Sequence, residues 1–264
     1  MEICVLNKIN PELSGFFVIV ILRKNQYLCV MKLIALGDTH GRSLWKEIVS
    51  KNEDADKIIF IGDYFDTHGG GYSANRQIEN FKDIVAFKKA NMDKVILLIG
   101  NHDFHYLNGV DENYSGYQWH YREDINAVLQ PAVDEGLLQM SFVYDKYVFT
   151  HAGVTKTWAK NSGVDTNNLQ ESVNNLFKTN IEKFKFTMGS NFSNTGSDIT
   201  QPPIWVRPEA LFTDMIDGVI YVVGHTTYNS ITQISNIILI DVLGTSQEYL
   251  VIEDNKTRIE SVKL

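Results

Sequence analysis

The chain is organised around one stretch, Lys57-Ile-Ile-Phe-Ile-Gly-Asp-Tyr-Phe-Asp66. Its apolar run ends at Gly62, and the carboxylate of Asp63 follows directly. The same construction occurs before it, in Lys32-Leu-Ile-Ala-Leu-Gly-Asp-Thr-His40, and after it, in Lys94-Val-Ile-Leu-Leu-Ile-Gly-Asn-His-Asp103. Short apolar runs bounded by glycine are typical of buried β-strands. Three buried strands are therefore predicted, and each ends where a polar side chain is presented.

The segments around these strands predict an α/β fold. Apolar residues recur at helical spacing from Ala74 to Ala90, which predicts a crossover helix between the second and third strands. The resulting β-α-β-α-β order implies parallel strands with right-handed crossovers, whose ligands gather at the carboxyl ends. Two further strands are predicted at Leu138–Tyr144 and Tyr147–Thr150. Turn signals divide Val219–Val262 into short strands, which we interpret as an antiparallel meander.

Length and composition favour one main domain. The 264 residues are 44% apolar, enough for a substantial core. Met31 begins the first core strand, so residues 1–30 are predicted to be an N-terminal extension or an added edge strand. Residues 31–264 are then a single domain, with a polar cap or insertion rich in Asn, Ser and Thr at about 155–200.

Charge and cysteine content narrow the classes of function and compartment. A formal net charge of −8 argues against broad binding to nucleic acid or an anionic membrane. The most hydrophobic stretch near the N-terminus, Phe16–Leu22, is too short to span a bilayer. The two cysteines form no metal-spaced pair, and a disulfide framework is not expected, so a cytoplasmic location is predicted.

The predicted strand ends carry a set of polar residues that suits metal binding. A single Gly-Asp or a lone histidine is weak evidence, because Asp often closes turns and His is often structural. Five independent strand ends, four of them with histidine, are hard to explain in that way. The set comprises Asp38, His40, Asp63, Asn101, His102, Asp103, His151 and His225.

The residue types divide between two ions. Asp38 and His40 can converge on one ion, and Asp63 can bridge it to a second. The carboxamide and two imidazoles of Asn101, His151 and His225 can complete the second site. Oxygen and imidazole ligands without thiolate suit zinc, iron or manganese alike.

Such a pair of ions predicts chemistry at phosphorus. Two metals about 3.5–4 Å apart neutralise phosphate oxygens and acidify a shared water, which makes a bridging hydroxide available for in-line attack. His102 lies between a proposed ligand and another acid, so we interpret it as the general acid for the leaving oxygen. Either Asp66 or Asp103 could hold its imidazole.

In these motifs the sequence resembles the calcineurin-like metallophosphoesterase superfamily. The matching blocks are Gly37-Asp-Thr-His-Gly41, Gly62-Asp-Tyr-Phe-Asp66, Gly100-Asn-His-Asp103, Thr150-His-Ala-Gly153 and Gly224-His225, in family order. They are most similar to the serine/threonine phosphoprotein phosphatase branch, including its bacterial and phage members. The run from Gly100 to Leu107 and the run from His151 to Trp158 are also similar to symmetrical diadenosine tetraphosphate hydrolases.

The resemblance implies a central β-sandwich of mixed sheets flanked by helices. It also implies the metal roles given above, acid catalysis by His102 with Asp66 as partner, and two divalent ions. Manganese is the first expectation for these ions, with iron and zinc as alternatives.

One position departs from the branch. Thr67 stands where the branch usually has an arginine that grips the substrate phosphate, so another residue must supply the grip. Arg207, in Trp205-Val-Arg-Pro208, and Arg42 are the candidates, and the alternative for each is a solvated surface arginine.

The sequence leaves three functions open. The first is a phosphatase acting on phosphomonoesters, most plausibly of phosphorylated proteins, with small phosphoesters as other substrates. The second is a hydrolase of dinucleoside polyphosphates such as diadenosine tetraphosphate. The third is a metal-binding module without catalysis, which the missing arginine keeps open.

Overall fold

The computed structural model describes residues 31–67 and 71–262. The predicted N-terminal extension, residues 1–30, lies outside this part of the chain. The strands in chain order are β1 (Lys32–Leu36), β2 (Lys57–Phe60), β3 (Val95–Leu98), β4 (Leu138–Gln139), β5 (Ser141–Tyr144), β6 (Tyr147–Thr150), β7 (Ile220–Val223), β8 (Thr232–Ile234), β9 (Ile237–Leu239), β10 (Glu248–Glu253) and β11 (Lys256–Ser261). The helices are α1 (Trp45–Lys51), α2 (Ala74–Ala90), α3 (Asn101–Phe104), α4 (Arg122–Asp134), α5 (Lys156–Ser162), α6 (Leu169–Thr179) and α7 (Pro208–Thr213).

The strands form two sheets of mixed orientation. The first sheet has the spatial order β11-β10-β1-β2-β3-β4, and the second has the order β5-β6-β7-β9-β8. The strands β1, β2 and β3 pair in parallel, as predicted, and β10 joins β1 antiparallel. In the second sheet, β6, β7 and β9 are parallel neighbours. The fold is thus the mixed α/β architecture that the sequence predicted.

Side-chain alternation on the central strands builds two apolar layers. On β1, Leu33 and Ala35 pack in the core between the sheets, together with Phe149 of the second sheet. The intervening Ile34 and Leu36 belong to the core under the helices. Because both faces of these strands are buried, they are continuously apolar rather than alternating, and their sequences stand out clearly.

Two details of the strand prediction were wrong. The run Leu138–Tyr144 is not one strand: β4 pairs with β3 in the first sheet and β5 pairs with β6 in the second, so the chain changes sheets at Met140. The tail is not one antiparallel meander either, because β7 has parallel partners and β10 returns to the first sheet. The apolar runs predicted which segments are buried, but they do not specify which strand pairs with which.

The polar composition of residues 155–200 has a structural reason at the edge of the second sheet. Asn174 of α6 accepts hydrogen bonds from the main-chain N–H groups of Met140 and Ser141 at 2.9 and 3.0 Å. Gln170 accepts from the N–H of Val143 at 2.7 Å. These side-chain amide oxygens accept from main-chain N–H groups that have no neighbouring strand to bond to at the edge of the sheet. Among the described residues no helix is both long and apolar enough to cross a membrane.

Candidate metal centre

The loops that follow β1, β2, β3 and β7 meet in one pocket of about 280 Å³. Parallel strands place their carboxyl ends at one edge of a sheet, which explains why residues far apart in sequence converge. The pocket is lined by Asp38, His40, Asp63, Asn101, His102, Tyr114, Ser115, Trp205, Arg207, His225, Thr227 and Asp241. His151, which follows β6, is fully buried and contacts Asn101. The structure therefore brings together all six residues predicted to bind metal.

Four predicted ligands form a tight cluster at one side of the pocket. Asn101 Oδ1 lies 2.9 Å from His151 Nε2 and 2.9 Å from His225 Nδ1. Asp63 Oδ2 lies 3.4 Å from His151 Nε2. Ligand atoms bound to one ion at about 2.0–2.2 Å are separated by roughly 3.0–3.4 Å. The cluster therefore has the spacing of a single coordination sphere.

Asp63 also belongs to a second group, with Asp38 and His40. One ligand atom from each of these three residues lies within 4.8 Å of the others. His40 Nε2 lies 3.9 Å from Asp63 Oδ2, the same oxygen that faces His151. The carboxylate of Asp63 is thus placed between two groups of ligands, as the sequence predicted for a bridging residue.

The protonation pattern of the three histidines tests whether these residues fit a cation. Each ring has one nitrogen against a main-chain carbonyl oxygen: Phe65 O for His40, Ile61 O for His151 and Trp205 O for His225. A carbonyl can only accept, so that nitrogen carries a proton, and in the neutral form that binds metal the other nitrogen presents its lone pair to the cluster. For His151 and His225 that lone pair faces the amide oxygen of Asn101. Two lone pairs at 2.9 Å repel each other unless a cation lies between them, so the donor set fits a metal ion.

The electrostatics of the pocket lead to the same conclusion. Burial, and then the charges of Asp241 and Asp63, raises the pKa of Asp38 well above its usual value. Asp38 Oδ1 is buried without a hydrogen-bond partner. Burial and then the nearby Arg207 hold the pKa of His225 well below its usual value, so this imidazole is neutral as a ligand must be. A cation bound here would stabilise the charged form of the buried carboxylate, and a neutral imidazole keeps a lone pair that can bind it.

Two strand-end glycines are required because no side chain fits beside the carboxylates. A Cβ at Gly100 would lie 2.0 Å from Asp63 Oδ1, and a Cβ at Gly224 would lie 2.0 Å from Asp38 Oδ1.

The proposed ligands His40, Asp63 and His225 adopt left-handed backbone angles, with φ of 43°, 53° and 64°. Such angles are uncommon for residues other than glycine and concentrate at functional sites.

His102 lies at the wall of this pocket with its ring fixed by Asp66. His102 Nδ1 lies 2.9 Å from Asp66 Oδ2, so Nε2 is the nitrogen that can donate to a substrate. Burial alone would lower the pKa of His102, but the charges of Asp63 and Asp66 raise it to about 8. The structure therefore favours Asp66 over Asp103 as the residue that orients this imidazole.

Asp103 instead holds the loop that carries Asp63. Its two oxygens accept hydrogen bonds from the main-chain N–H groups of Asp63, Tyr64 and Gly100 at 2.8, 2.7 and 2.9 Å. Burial and the charge of Asp63 raise the pKa of Asp103 to about 7. We interpret Asp103 as a clamp that joins the loops after β2 and β3.

A second group of three residues also has ligand atoms close together: Asp66, His102 and His105. His105 is fully buried, and its Nε2 lies 2.8 Å from Asp66 Oδ2. Unlike Asp38, Asp66 receives side-chain donors on both oxygens, from Tyr106 and Gln118 on one and His102 on the other. Hydrogen bonds therefore satisfy both oxygens of Asp66 without an ion.

The two candidate arginines occupy different places. Arg207 lines the metal pocket and donates hydrogen bonds to Thr195 O, Thr226 Oγ1 and His225 O at 2.9, 3.0 and 3.2 Å. Arg42 lines a separate cleft with Gly244 and donates to a main-chain carbonyl at 3.3 Å. The structure places only Arg207, of these two, beside the metal ligands.

Several residues of the pocket were not found from the sequence. Asp241 follows the apolar run Ile237–Ile240, so it has the same strand-end signal as the proposed ligands. Tyr114 and Ser115 reach the pocket from an irregular loop between α3 and α4, and no local pattern marks them. Trp205 packs its ring against Tyr114 at 4.2 Å and against His225 at 5.6 Å.

Comparison with known proteins agrees with the geometry. The sequence model of the family described as calcineurin-like phosphoesterase matches residues 31–237. None of the curated proteins gives a significant match.

Several solved structures match the chain at low sequence identity. One is a protein serine/threonine phosphatase from Saccharomyces cerevisiae, with 13% identity, a TM-score of 0.52 and coverage of 87% of this chain and 79% of that chain. Another is a predicted phosphoesterase from Streptococcus pneumoniae, with 13% identity, a TM-score of 0.31 and coverage of 89% and 91%. A third, from Thermus thermophilus, has 10% identity, a TM-score of 0.41 and coverage of 89% and 100%.

Proposed function

The chain belongs to the calcineurin-like phosphoesterase family, and on that premise we propose that it hydrolyses phosphomonoesters of alcohols, first of all phosphoserine and phosphothreonine in proteins. The observation that carries the proposal is the position of His102. Its ring is fixed by Asp66 and lines the same pocket as the metal-binding residues. This arrangement supports a role for His102 as the proton donor to the leaving group of a phosphate bound in the pocket.

The metal-binding residues would hold two divalent ions that share Asp63. When bound, the two ions neutralise phosphate oxygens and supply an activated water for in-line displacement. One ion would be held by Asp38, His40 and Asp63, and the other by Asp63, Asn101, His151 and His225.

Arg207 is the residue proposed to grip the substrate phosphate in place of the arginine absent at Thr67. Its Nε and Nη1 groups are fixed by contacts with Thr195, Thr226 and His225. Arg207 lines the pocket, and the proposal assigns its Nη2 group to donate to a phosphate oxygen. A guanidinium held in this way loses little further freedom when it binds substrate.

The basicity of the leaving group explains why phosphate esters of alcohols are the first substrates proposed. An alkoxide is nearly as basic as hydroxide, whose conjugate acid has a pKa of about 15.7, so its departure requires a proton. A phosphate leaving from an anhydride is far less basic, with a pKa of roughly 6. His102, fixed by Asp66 and able to donate from Nε2, therefore contributes most to the hydrolysis of alkyl esters.

A second candidate, the hydrolysis of dinucleoside polyphosphates, is supported by the aromatic wall of the pocket. Tyr114 and Trp205 both line it, and an aromatic ring can stack on a nucleobase. The sequence similarity around Gly100–Leu107 points in the same direction.

Parallel assays separate these candidates. Manganese-loaded protein is incubated with a serine phosphopeptide, with diadenosine tetraphosphate and with para-nitrophenyl phosphate, and turnover is measured for each. The proposal predicts the highest kcat/KM on the phosphopeptide. Preference for diadenosine tetraphosphate would favour the second candidate, and no turnover of any of them would favour a binding module without catalysis.

A further inference from the structure

The carboxylate of Asp66 accepts hydrogen bonds from three side chains and lies close to a fourth. Its Oδ2 faces His102 Nδ1 at 2.9 Å and His105 Nε2 at 2.8 Å. Its Oδ1 accepts from the Tyr106 hydroxyl at 2.6 Å and from Gln118 Nε2 at 3.1 Å. An ionised carboxylate offers about four lone-pair sites, and the hydrogen bonds from His102, Tyr106 and Gln118 use three of them.

The two donors on Oδ1 are themselves fixed by a chain of contacts. The Tyr106 hydroxyl accepts from the main-chain N–H of Gln118 at 2.8 Å, and the Tyr106 ring stacks on Tyr117 at 4.8 Å. Gln118 Nε2 also donates to Gln77 Oε1 at 2.8 Å. Gln77 is buried on α2 and donates to Tyr72 O at 2.6 Å. The orientation of Asp66 is thus determined by α2 and by the loop before α4, far from Asp66 in sequence.

The backbone of Asp66 makes such support necessary. Its φ is 58°, a left-handed conformation, and it is followed by Thr67 in an irregular loop. A side chain on a loop of this kind is not oriented by regular secondary structure, so contacts from outside the loop must fix it.

We propose that Tyr106 and Gln118 are positioning residues that hold Asp66, and through it the ring of His102, in the orientation that protonates the leaving group. The inference rests on the proposed function, because it requires His102 to act as the general acid. The contacts of Tyr106 and Gln118 are with the carboxylate of Asp66, so each acts on the imidazole through that carboxylate.

This role predicts a dependence on the leaving group that loss of packing would not produce. Tyr106→Phe removes the hydroxyl alone, and Gln118→Ala removes the second donor. With either change, kcat on a serine phosphopeptide is expected to fall by about 10–100-fold, as for other residues that orient a functional ligand. With para-nitrophenyl phosphate, whose leaving group needs little protonation, kcat is expected to change by less than about threefold. KM and the number of bound manganese ions should stay unchanged.

Tyr221→Phe is the matched control. Tyr221 is also fully buried, and its hydroxyl also donates to one acceptor, Val154 O at 2.6 Å, and accepts from one main-chain N–H, that of Ile216 at 3.2 Å. Its hydroxyl thus has one acceptor and one main-chain donor, as in Tyr106, but both lie away from Asp66. Equal small effects on both substrates are expected for this variant.

His102→Asn, measured in parallel, separates failure of the inference from failure of the function. If His102→Asn loses phosphopeptide turnover selectively while Tyr106→Phe and Gln118→Ala do not, the positioning role is wrong and the general acid stands. If His102→Asn shows no leaving-group dependence, the proposed general acid itself is wrong. Should Tyr106→Phe fail to fold, Gln118→Ala decides the question, because Gln118 is only partly buried.

Discussion

Gly100→Ala should destroy the metal centre although it adds a single methyl group. Gly100 has φ of −99° and ψ of 176°, an extended conformation that alanine adopts without strain. The effect is therefore one of space alone. The new Cβ would lie 2.0 Å from Asp63 Oδ1 and 2.6 Å from the Asp63 main-chain nitrogen, whereas contacts of a real Cβ almost never fall below 3.0 Å.

The size of the effect follows from these distances. Asp63 Oδ1 must move by at least 1.0 Å, the difference between 3.0 and 2.0 Å. Metal–ligand distances tolerate changes of about 0.2 Å, so Asp63 could no longer bridge two ions. A misplacement of about 1 Å at an active site lowers the rate roughly 100-fold. The overpacked core should also lose about 1–3 kcal/mol of stability.

The assay combines manganese stoichiometry, kcat/KM on para-nitrophenyl phosphate and thermal unfolding. Gly136→Ala is the control for destabilisation. Gly136 has φ of 72°, so alanine is strained there, but its Cβ would meet no atom within 4 Å. We expect Gly136→Ala to lower the melting temperature and to keep both ions and the rate. A Gly100→Ala protein with two ions per chain and a rate near wild type would refute the reasoning.

Other predictions concern the acid, the phosphate grip and the clamp. His102→Asn should keep both ions while kcat falls by about 10²–10⁴; loss of an ion, measured by elemental analysis, would make His102 a ligand instead. Arg207→Ala should raise KM about 10–100-fold with kcat nearly unchanged, because that is the loss of binding affinity expected when a hydrogen bond to a charged group is removed. Arg42→Ala should leave KM unchanged. The opposite result in steady-state kinetics would move the phosphate grip to Arg42. Asp103→Asn cannot accept all three main-chain hydrogen bonds, so stability should fall by about 1–3 kcal/mol and the melting temperature by several degrees. An unchanged melting temperature with lost activity would argue for a catalytic role.

The central strands and the convergence of the ligands could be predicted from the sequence. The reason is local: strands buried on both faces must be continuously apolar, and a glycine and a carboxylate at their ends interrupt that pattern. The convergence then follows from parallel pairing, which places Asp38, Asp63 and Asn101 at one edge of the first sheet. His151 and His225 reach the same pocket because two strands of the second sheet end beside them.

The partner of His102 could not be predicted from neighbouring residues. Asp103 is adjacent to His102 in sequence, yet the first turn of α3 directs its carboxylate back to main-chain N–H groups. Asp66 reaches the His102 ring from 36 positions away. The hydrogen bonds that hold Asp66 come from α3 and from the loop after it, and nothing in the local pattern relates those segments to Asp66.

The sequence pattern also could not predict which strands belong to which of the two sheets. Leu138–Tyr144 contains no glycine or proline that would divide it, and the change of sheet at Met140 depends on which edge each half meets. Trp205 reaches the pocket through an irregular segment before α7, and no strand or helix pattern marks it as a pocket residue.

The central claim is that Asp63 is shared by two divalent ions. An anomalous difference map from crystals grown with manganese tests it most directly, because manganese scatters anomalously and the protein's own atoms do so only weakly. The account predicts two peaks about 3.5–4 Å apart, one on each side of the Asp63 carboxylate. A single peak, or a peak between Asp66, His102 and His105 with none beside Asp63, would contradict it.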